Sequence, residues 1–167
     1  MELGLGGGCH WCTEAIFQSL KGVEVVKQGW IASIAPNEAY SEGIYLRFDE
    51  NNITLREVIY IHLITHSSSS KHSLRNRYRS AIYYFSKDDK SQCEYILSQI
   101  KADLNKTIIT ETLPFKEFKT NKPEQLNYFK TKPTAPFCKT YIIPKLQTIF
   151  EFDESLLREE IKKILGK

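Results

Sequence analysis

Two periods of hydrophobic and polar positions run along the chain, and they predict strands and helices in turn. Residues 44–48 alternate apolar and polar side chains, which predicts a strand with one buried face. The clearest predicted helix begins at Thr54, because Thr54 and Glu57 match a capping box. Another predicted helix opens at Ser86 and carries the apolar stripe Cys93, Ile96, Leu97, Ile100 and Leu104.

The remaining apolar runs complete an interleaved set of strands and helices. Further strands are predicted at Glu2 to Leu5, Val23 to Trp30, Ala81 to Phe85 and Thr107 to Leu113, and further helices at Thr13 to Leu20, Glu124 to Lys130 and Asp153 to Leu165. The elements follow no strict βαβ order. We therefore predict an α+β fold, a two-layer α/β sandwich with helices packed on a mixed sheet. The prolines predict an irregular segment over about residues 131–150.

Composition narrows the class of protein. The chain has 167 residues, of which 41% are apolar and 26% charged, so we expect one domain spanning residues 1–167. A net charge of +3 is too small to argue for nucleic acid binding. No apolar run approaches the roughly 20 residues of a membrane span, and nothing reads as a signal peptide. We expect a monomeric protein of the reducing cytoplasm.

The first group of chemically informative residues is the glycine run before Cys9. Gly6, Gly7 and Gly8 allow a tight turn, and Cys9 falls just before a predicted helix. The positive end of a helix stabilises a thiolate and lowers the pKa of the thiol. Cys9 is therefore the candidate nucleophile. The alternative is a glycine turn with two incidental cysteines, Cys9 and Cys12.

A carboxyl group and two tyrosines form the second candidate group. Glu42 has the same parity as Ile44, so in an unbroken strand it lies on the buried face, where its pKa would rise and it would donate a proton. The alternative is that the strand begins after Glu42 and the carboxyl is solvated. Tyr40 would share that face, and Tyr78 precedes the strand at Ala81; for either tyrosine, ordinary ring packing is the alternative role.

The other cysteines and histidines have competing interpretations. Cys138 lies between prolines, where a mobile thiol could reach another thiol, although a buried free cysteine is the commoner case. Cys93 is assigned to the core. His66 and His72 are interpreted as surface residues. Cys9, His10 and Cys12 lack a second ligand pair, so zinc is not predicted.

Several segments resemble the methionine sulfoxide reductase A family. GGGCHWCTEAIFQSLKGV is similar to the family's GGCFWxxE signature, and the Tyr78 segment YRSAIY matches the family's QYRSAIY. Glu42 takes the position of the glutamate in the family's GHxE segment. Phe137-Cys138 with Pro144 to Leu146 resembles the segment that carries a resolving cysteine. The resemblance runs from about Leu3 to Leu146, and it implies a ferredoxin-like fold.

The resemblance also implies roles. Cys9 would attack the sulfoxide sulfur, Glu42 would donate a proton to the departing oxygen, and Tyr78 would hydrogen-bond that oxygen. Trp11 would form a wall of the methyl pocket. The products would be methionine and a cysteine sulfenic acid; a disulfide with Cys138, or with Cys12 as relay or competitor, would then be reduced by thioredoxin. The implied substrate is the S epimer of methionine sulfoxide, free or in oxidatively damaged proteins, and no metal or organic cofactor is implied.

Three departures from the family pattern lie at or near these residues. His10 replaces a phenylalanine, so the methyl pocket is expected to be more polar. Ser73 or a neighbour stands where the family has an aspartate. The segment from Trp30 to Glu42 is short, and Tyr40 would replace its oxygen-binding tyrosine.

Two rival functions remain open from the sequence. One is a general thiol–disulfide oxidoreductase that uses Cys9 and Cys12 as its redox pair. The other is a catalytically inactive module that binds methionine-rich partners. An acid at Glu42 argues against the first rival, because disulfide exchange has no oxide to protonate.

Overall fold

A mixed sheet of six strands organises the structure, a computed structural model that describes residues 1–70 and 76–166. The strands are β1 (Glu2–Gly6), β2 (Val23–Ala32), β3 (Ser41–Phe48), β4 (Ala81–Tyr84), β5 (Glu111–Pro114) and β6 (Glu117–Thr120). Their order in the sheet is β5-β4-β1-β3-β2-β6. Only the β4–β5 pair is parallel among these strands. The predicted α+β class and mixed sheet are confirmed. The sequence departure at Ser73, and His72, lie outside the described residues.

The α-helices lie between the strands along the chain and after the last strand. They are α1 (His10–Gln18), α2 (Leu55–Ile64), α3 (Lys87–Leu104), α4 (Tyr128–Thr131), α5 (Ile143–Asp153) and α6 (Glu159–Ile164). The capping box of α2 is present as predicted: Thr54 accepts from the Glu57 amide at 3.1 Å, and Glu57 accepts from the Thr54 amide at 2.8 Å. Ser86 caps α3 by accepting from the amide of Asp89. Across the described residues, no helix has both the length and the apolar character of a membrane span.

The two faces of the sheet carry different apolar clusters. Leu5, Ile44 and Leu46 face the helices and belong to the larger core, which extends from Leu3 to Leu165. Ile31 and Tyr83 belong to a smaller cluster that also includes Ala81 and Leu113. This alternation puts every second residue of β3, beginning at Glu42, on the helix side, as period-two strand geometry requires.

The irregular segment predicted for residues 131–150 is largely helical in the structure. A π-helical turn spans Cys138–Ile142 and leads directly into α5. Cys138, Ile142, Leu146 and Ile149 repeat at helical spacing and are all buried. The prediction rested on Pro133 and Pro136, but Pro136 already lies in the helical stretch that leads into the π-helical turn. Pro144 occupies the first turn of α5, where its missing N–H costs no hydrogen bond.

The predicted final helix from Asp153 to Leu165 is broken in the structure. Asp153 caps a 3-10 turn at Glu154–Leu156, and α6 begins only at Glu159. Leu157 and Arg158 are extended between them because they bind α1 and its surroundings. The Arg158 amide donates to Ser19 O at 3.0 Å, and its guanidinium donates to the carbonyls of Gln18 and Val23. These tertiary bonds replace helical ones.

Two other predicted elements are shorter than expected. The strand predicted at 107–113 is confined to β5, which begins at Glu111; the amide of Ile109 instead donates to Ser68 O at 2.8 Å. The helix predicted at 124–130 is divided into a 3-10 turn at Pro123–Gln125 and the single turn of α4.

We predict that Gly29→Ala destabilises the protein by about 1–3 kcal/mol, the usual cost of overpacking. A Cβ at position 29 would overlap the carbonyl oxygen of Lys119 on β6, which is backbone and cannot turn aside. Gly8→Ala is the control, because its Cβ would lie 3.7 Å from the nearest atom of His66, an ordinary contact. Urea unfolding of both variants measures the difference. Equal stability of the two would contradict this account of β6.

Candidate active site

Strand pairing assembles the site at one end of the sheet. β1 ends where β3 begins, with Gly6 opposite Gly43, so Glu42 lies beside the glycine turn. The chain entering β4 reaches the same end: the Glu42 amide donates to Arg77 O and the Ser41 hydroxyl also donates there, each at 2.8 Å. Gly7 has a φ of +143°, which favours glycine, and the His66 ring lies where a Cβ would stand.

Cys9 is the N-cap of α1, as the glycine run predicted. It is half-buried, and its carbonyl accepts the amide of Thr13 at 3.1 Å. A hydrogen bond from the Cys12 thiol, opposed by burial and aided by His10 and by the backbone amides of Trp11 and Cys12, lowers the pKa of Cys9 to about 5. Cys9 is therefore a thiolate at neutral pH.

Glu42 is buried in β3 with cationic groups on both oxygens. Its side chain is 1% exposed, so the strand begins early enough to bury it. The His10 amide donates to Oε1 at 3.3 Å, His10 Nδ1 lies 2.9 Å from Oε1, and Arg77 Nε donates to Oε2. Burial opposes ionisation, but His10 and Arg77 outweigh it and lower the pKa of Glu42. The predicted raised pKa is wrong, because these partners come from distant segments.

His10 is buried between Glu42 and a polar chain from β6. Its Nε2 lies 2.9 Å from the Asn121 amide nitrogen, and its ring makes an edge contact with Trp30 at 5.4 Å between centroids. Burial disfavours the charged ring, but the hydrogen bonds with Cys9 and Glu42 raise the pKa of His10 to about 9. The position is polar, as the sequence departure predicted.

Cys9, His10 and Glu42 form a compact group of donor atoms. The sulfur, a ring nitrogen and a carboxylate oxygen all lie within 4.8 Å of one another, close enough in principle to accept a metal ion. However, both Glu42 oxygens already contact cationic groups, which favours acid–base chemistry over metal coordination.

The two predicted tyrosines lie in different places. Tyr78 is half-buried; burial and then the charge of Glu42 raise the pKa of its hydroxyl, which therefore keeps its proton. Tyr40 lies before β3 and does not share the buried face: its hydroxyl donates to Glu117, and Lys119 lies 4.4 Å from its ring centroid. The strand parity extended to Tyr40 was therefore wrong, because β3 begins at Ser41.

Trp11 belongs to an aromatic cluster next to the thiols. Its ring stacks on Tyr128 at 4.1 Å and an interplanar angle of 5°. Phe137 packs edge-on against it at 5.3 Å, directly before Cys138 in the chain. The cluster is apolar, and its member Phe137 also lines the cavity that contains Cys9 and Cys12.

The thiols of Cys9 and Cys12 share a cavity of about 260 Å³, lined also by His66, Phe137 and Lys145. The hydrogen bond to Cys9, followed by burial, raises the pKa of Cys12, so it is the thiol partner of the Cys9 thiolate. Cys138 is fully buried, and its thiol donates to Lys132 O at 3.2 Å. Cys93 lies in the core, as predicted, and burial raises its pKa to about 12.

Sequence reasoning missed several residues that support the site. Arg77 binds Glu42, and its charge directly before the Tyr78 motif was an available signal. Asn121 contacts the far side of the His10 ring and donates to Gln28, and no local pattern marked either residue. His66, expected at the surface, packs on Gly7 and hydrogen-bonds Ser80 at 2.8 Å.

Comparison with known proteins identifies relatives along most of the chain. The sequence model of the family described as "Peptide methionine sulfoxide reductase" matches residues 1–155. A protein of Sulfolobus acidocaldarius named "Peptide methionine sulfoxide reductase MsrA" is 32% identical over 157 residues, which covers 86% of this chain and 89% of the relative.

Solved structures share the fold at lower identity. Mxr1 of Saccharomyces cerevisiae in reduced form superposes with a TM-score of 0.72 and 20% identity over 84% of this chain and 90% of that chain. The structure of Mxr1 in complex with Trx2 matches with a TM-score of 0.60 and 21% identity, covering 77% of this chain and 84% of that one.

We predict that Cys9 is alkylated by iodoacetamide with a half-maximal rate near pH 5. The thiolate is the reactive form, so the rate rises as pH passes upward through the lowered pKa and is lost below it. Mass spectrometry of individual peptides measures the rate. Cys93 is the internal control, because its pKa of about 12 leaves it unreactive over the same range. A Cys9 midpoint near that of an ordinary thiol would contradict the assignment.

Proposed function

The chain belongs to the peptide methionine sulfoxide reductase family, and from this we infer that it reduces methionine sulfoxide to methionine with Cys9 as nucleophile. The observation that carries the inference is the low-pKa thiol of Cys9 at the start of α1, within 4.8 Å of the acid–base pair His10 and Glu42. A thiolate attacks the sulfoxide sulfur, and a nearby acid is needed because a bare oxide leaves poorly.

The first step transfers the oxygen to Cys9. The S–O bond of the substrate breaks and an S–O bond forms on Cys9 Sγ, so the substrate sulfur is reduced by two electrons and Cys9 is oxidised to a sulfenic acid. We assign Tyr78 to hydrogen-bond the sulfoxide oxygen, because its hydroxyl keeps its proton beside Glu42. Trp11 and its aromatic neighbours would provide the apolar wall for the methyl group.

Glu42 argues against the thiol–disulfide oxidoreductase as the main function. A buried carboxylate with two cationic partners next to Cys9 is costly to maintain, and disulfide exchange has no oxide to protonate. The low pKa of Cys9 likewise argues against an inactive binding module, which needs no activated thiol.

The finer assignments extend the same proposal. We assign the S epimer of the sulfoxide, free or in proteins, as substrate, and repair of oxidative damage in the cytoplasm as the setting. Thioredoxin is the proposed reductant, supported by the yeast relative solved in complex with Trx2 and by the free thiols of Cys9, Cys12, Cys93 and Cys138. The protein would act as a monomer.

The architecture supports a finer classification and domain assignment as well. The order β1-α1-β2-β3-α2-β4 with the sheet order β4-β1-β3-β2 is that of a ferredoxin-like split βαβ unit, so we propose a two-layer sandwich of that type. One apolar core extends from Leu3 to Leu165, which supports a single domain over residues 1–167.

We propose that recycling runs through Cys12 before Cys138, the reverse of the priority expected from the sequence. Cys12 already hydrogen-bonds Cys9, whereas Cys138 is buried, bonded to Lys132 O and close enough to Cys12 to affect its pKa. Cys12 would attack the sulfenic acid of Cys9 and release water. Cys138 would then attack the Cys12 sulfur, because the low-pKa Cys9 is the better leaving thiolate.

We predict that Cys9→Ser abolishes methionine formation with dithiothreitol as reductant, since an alcohol cannot form the sulfenic acid. Release of methionine from the S and R epimers, measured separately, tests both the residue and the stereochemistry. Cys93→Ser is the matched control. Cys93 lies on the buried face of α3, so this variant should keep full turnover. Appreciable turnover by Cys9→Ser would refute the nucleophile.

We predict that one equivalent of substrate yields a Cys12–Cys138 disulfide in the wild-type protein. In Cys138→Ser the disulfide should stop at Cys9–Cys12, and in Cys12→Ser the sulfenic acid of Cys9 should persist and be trapped by dimedone. Each variant should lose most thioredoxin-dependent recycling. Peptide mapping distinguishes these species. A Cys9–Cys138 disulfide in Cys12→Ser, with normal recycling, would reverse the order.

A further inference from the structure

We propose that the proton that releases the sulfoxide oxygen is stored on the His10 ring, next to the Cys9 thiolate, and not on the Glu42 carboxyl. The proposal rests on the sulfoxide reduction proposed above and names its acid. It also gives His10, the residue that departs from the family pattern, a catalytic role in place of a pocket wall. Glu42 is the acid that the family resemblance implied.

Glu42 is held as a carboxylate and has no proton to give at neutral pH. Arg77 Nε donates to Oε2, while the His10 amide and Nδ1 lie 3.3 and 2.9 Å from Oε1. Protonating Glu42 would leave the buried His10 ring without its counter-charge and would weaken the ion pair with Arg77, whose side chain is largely exposed. His10 and Arg77 accordingly lower its pKa despite burial.

The His10 ring faces both reacting partners. Its nitrogen lies within 4.8 Å of Cys9 Sγ and of a Glu42 oxygen, and its hydrogen bonds with these two groups raise the pKa of the ring to about 9. A thiolate at Cys9 and an imidazolium at His10 therefore coexist between about pH 5 and about pH 9. Over this pH range the acid carries its proton and the nucleophile is ionised, so both groups are in their reactive forms.

Asn121 controls which ring nitrogen carries the proton. Its amide nitrogen lies 2.9 Å from Nε2 and 2.8 Å from Gln28 Oε1, and Gln28 is itself fixed by donating to Gln125 O. In this orientation Nε2 accepts and the ring proton is on Nδ1, towards Glu42. A half-turn of the amide would present its oxygen to Nε2–H, the partner that the imidazolium needs, and would give up the bond from Asn121 to Gln28 Oε1.

The charged groups that act on the His10 ring, directly or through Glu42, come from several segments of the chain. Among the described residues, Cys9 at the N-cap of α1, Glu14 of α1 and Glu42 of β3 interact with the ring, while Arg77 and Tyr78 act on Glu42 from the chain before β4. Burial raises the pKa of Glu14, and burial and the charge of Glu42 raise the pKa of Tyr78, which keeps its proton. The thiolate and Glu42 are thus the anions that stabilise the imidazolium.

The step balances with His10 as the acid. The thiolate of Cys9 attacks, the substrate S–O bond breaks, the oxygen ends on Cys9 Sγ, and the imidazolium proton goes to that oxygen. Sulfoxide, thiolate and imidazolium become sulfide, sulfenic acid and neutral imidazole, with no net change in charge. Glu42 orients the ring and stabilises its charge before the transfer.

The first test measures the protonation state of the His10 ring in the absence of substrate. Nitrogen NMR of the reduced protein, with ¹⁵N-labelled histidine and assignment through His10→Asn, should find His10 as an imidazolium at neutral pH that titrates near 9. A neutral His10 ring at neutral pH would overturn the proposal whatever the activity of the protein.

The second test measures single-turnover methionine formation from about pH 6 to about pH 10. The wild-type rate should fall on the alkaline side near pH 9, where the ring loses its proton. His10→Phe restores the family residue, and His10→Asn keeps a polar side chain that does not titrate here. Both should lose that alkaline limb and be slower by about 10²-fold near neutral pH, the usual effect of losing a positioned acid. An equal loss at every pH, with the limb retained, would mean a structural role and would overturn the proposal.

Variants at Asn121 test the same proposal independently if the His10 variants do not fold. Asn121→Asp adds a negative charge at Nε2, which favours the imidazolium and should move the alkaline limb upward by about 1–3 pH units. Asn121→Leu is the uncharged control and should not move it upward. An unchanged limb in Asn121→Asp would overturn the role of His10.

The two proposals fail in different ways. If the wild-type protein releases no methionine from either epimer, sulfoxide reduction fails and no His10 variant is needed to show it. If the wild type is active but the alkaline limb survives in His10→Phe, sulfoxide reduction stands and only the assignment of the proton to His10 fails. Glu42→Gln tests the role of the carboxylate. It should move the alkaline limb of the rate profile to lower pH, because His10 then loses its anionic partner.

Discussion

The antiparallel pairing of β1 with β3 positions the whole site. With Gly6 opposite Gly43, the end of β1 and the start of β3 come together, and Glu42 falls on the helix side of the sheet beside the turn that leads to Cys9. β4 pairs with the other edge of β1 and brings Arg77 and Tyr78 to the same end. A one-residue slip in this register would turn Glu42 to the opposite face.

The site is a balanced group of charges around the buried carboxylate of Glu42. Two anions, the thiolate of Cys9 and the carboxylate of Glu42, face two cations, the ring of His10 and the guanidinium of Arg77. The Glu42 carboxylate and the His10 ring are buried and each would be expensive to bury alone, but their opposite charges offset one another, with Arg77 adding a more exposed cation. The same balance determines the chemistry, because the partners that keep Glu42 ionised also keep a proton on His10.

The C-terminal part of the chain connects this charged group to the thiols of recycling. The π-helical turn at Cys138–Ile142 continues into α5 and places Cys138 in the core, while Phe137 contacts Trp11. Cys12 lies between, hydrogen-bonded to Cys9 on one side and influenced by Cys138 on the other. A buried final thiol protects the relay from chance oxidation until the disulfide reaches it.

The sequence alone determined the features that depend on neighbours along the chain. The start of α2 at its capping box, the cap of α3 and the place of Cys9 at the start of a helix all follow from residues a few positions apart. For Glu42, strand parity left burial and solvation as alternatives, and the early start of β3 decided for burial. The family motifs, read on the same local residues, identified the reaction class. The apolar stripe of α5 was equally readable, but the prolines around Cys138 obscured it.

Only the tertiary structure decided the charge states of Glu42 and His10 and the residues that contact them. Arg77 is 35 residues from Glu42, and Asn121 is 111 residues from His10, so no local pattern could reveal either contact. Their effect reverses the pKa expected for a buried carboxyl, since a nearby cation stabilises the ionised form more than burial destabilises it. Arg158 likewise breaks the predicted last helix by bonding carbonyls of Gln18 and Val23. Hydrogen bonds and charges act through space, and the fold alone determines which of them meet.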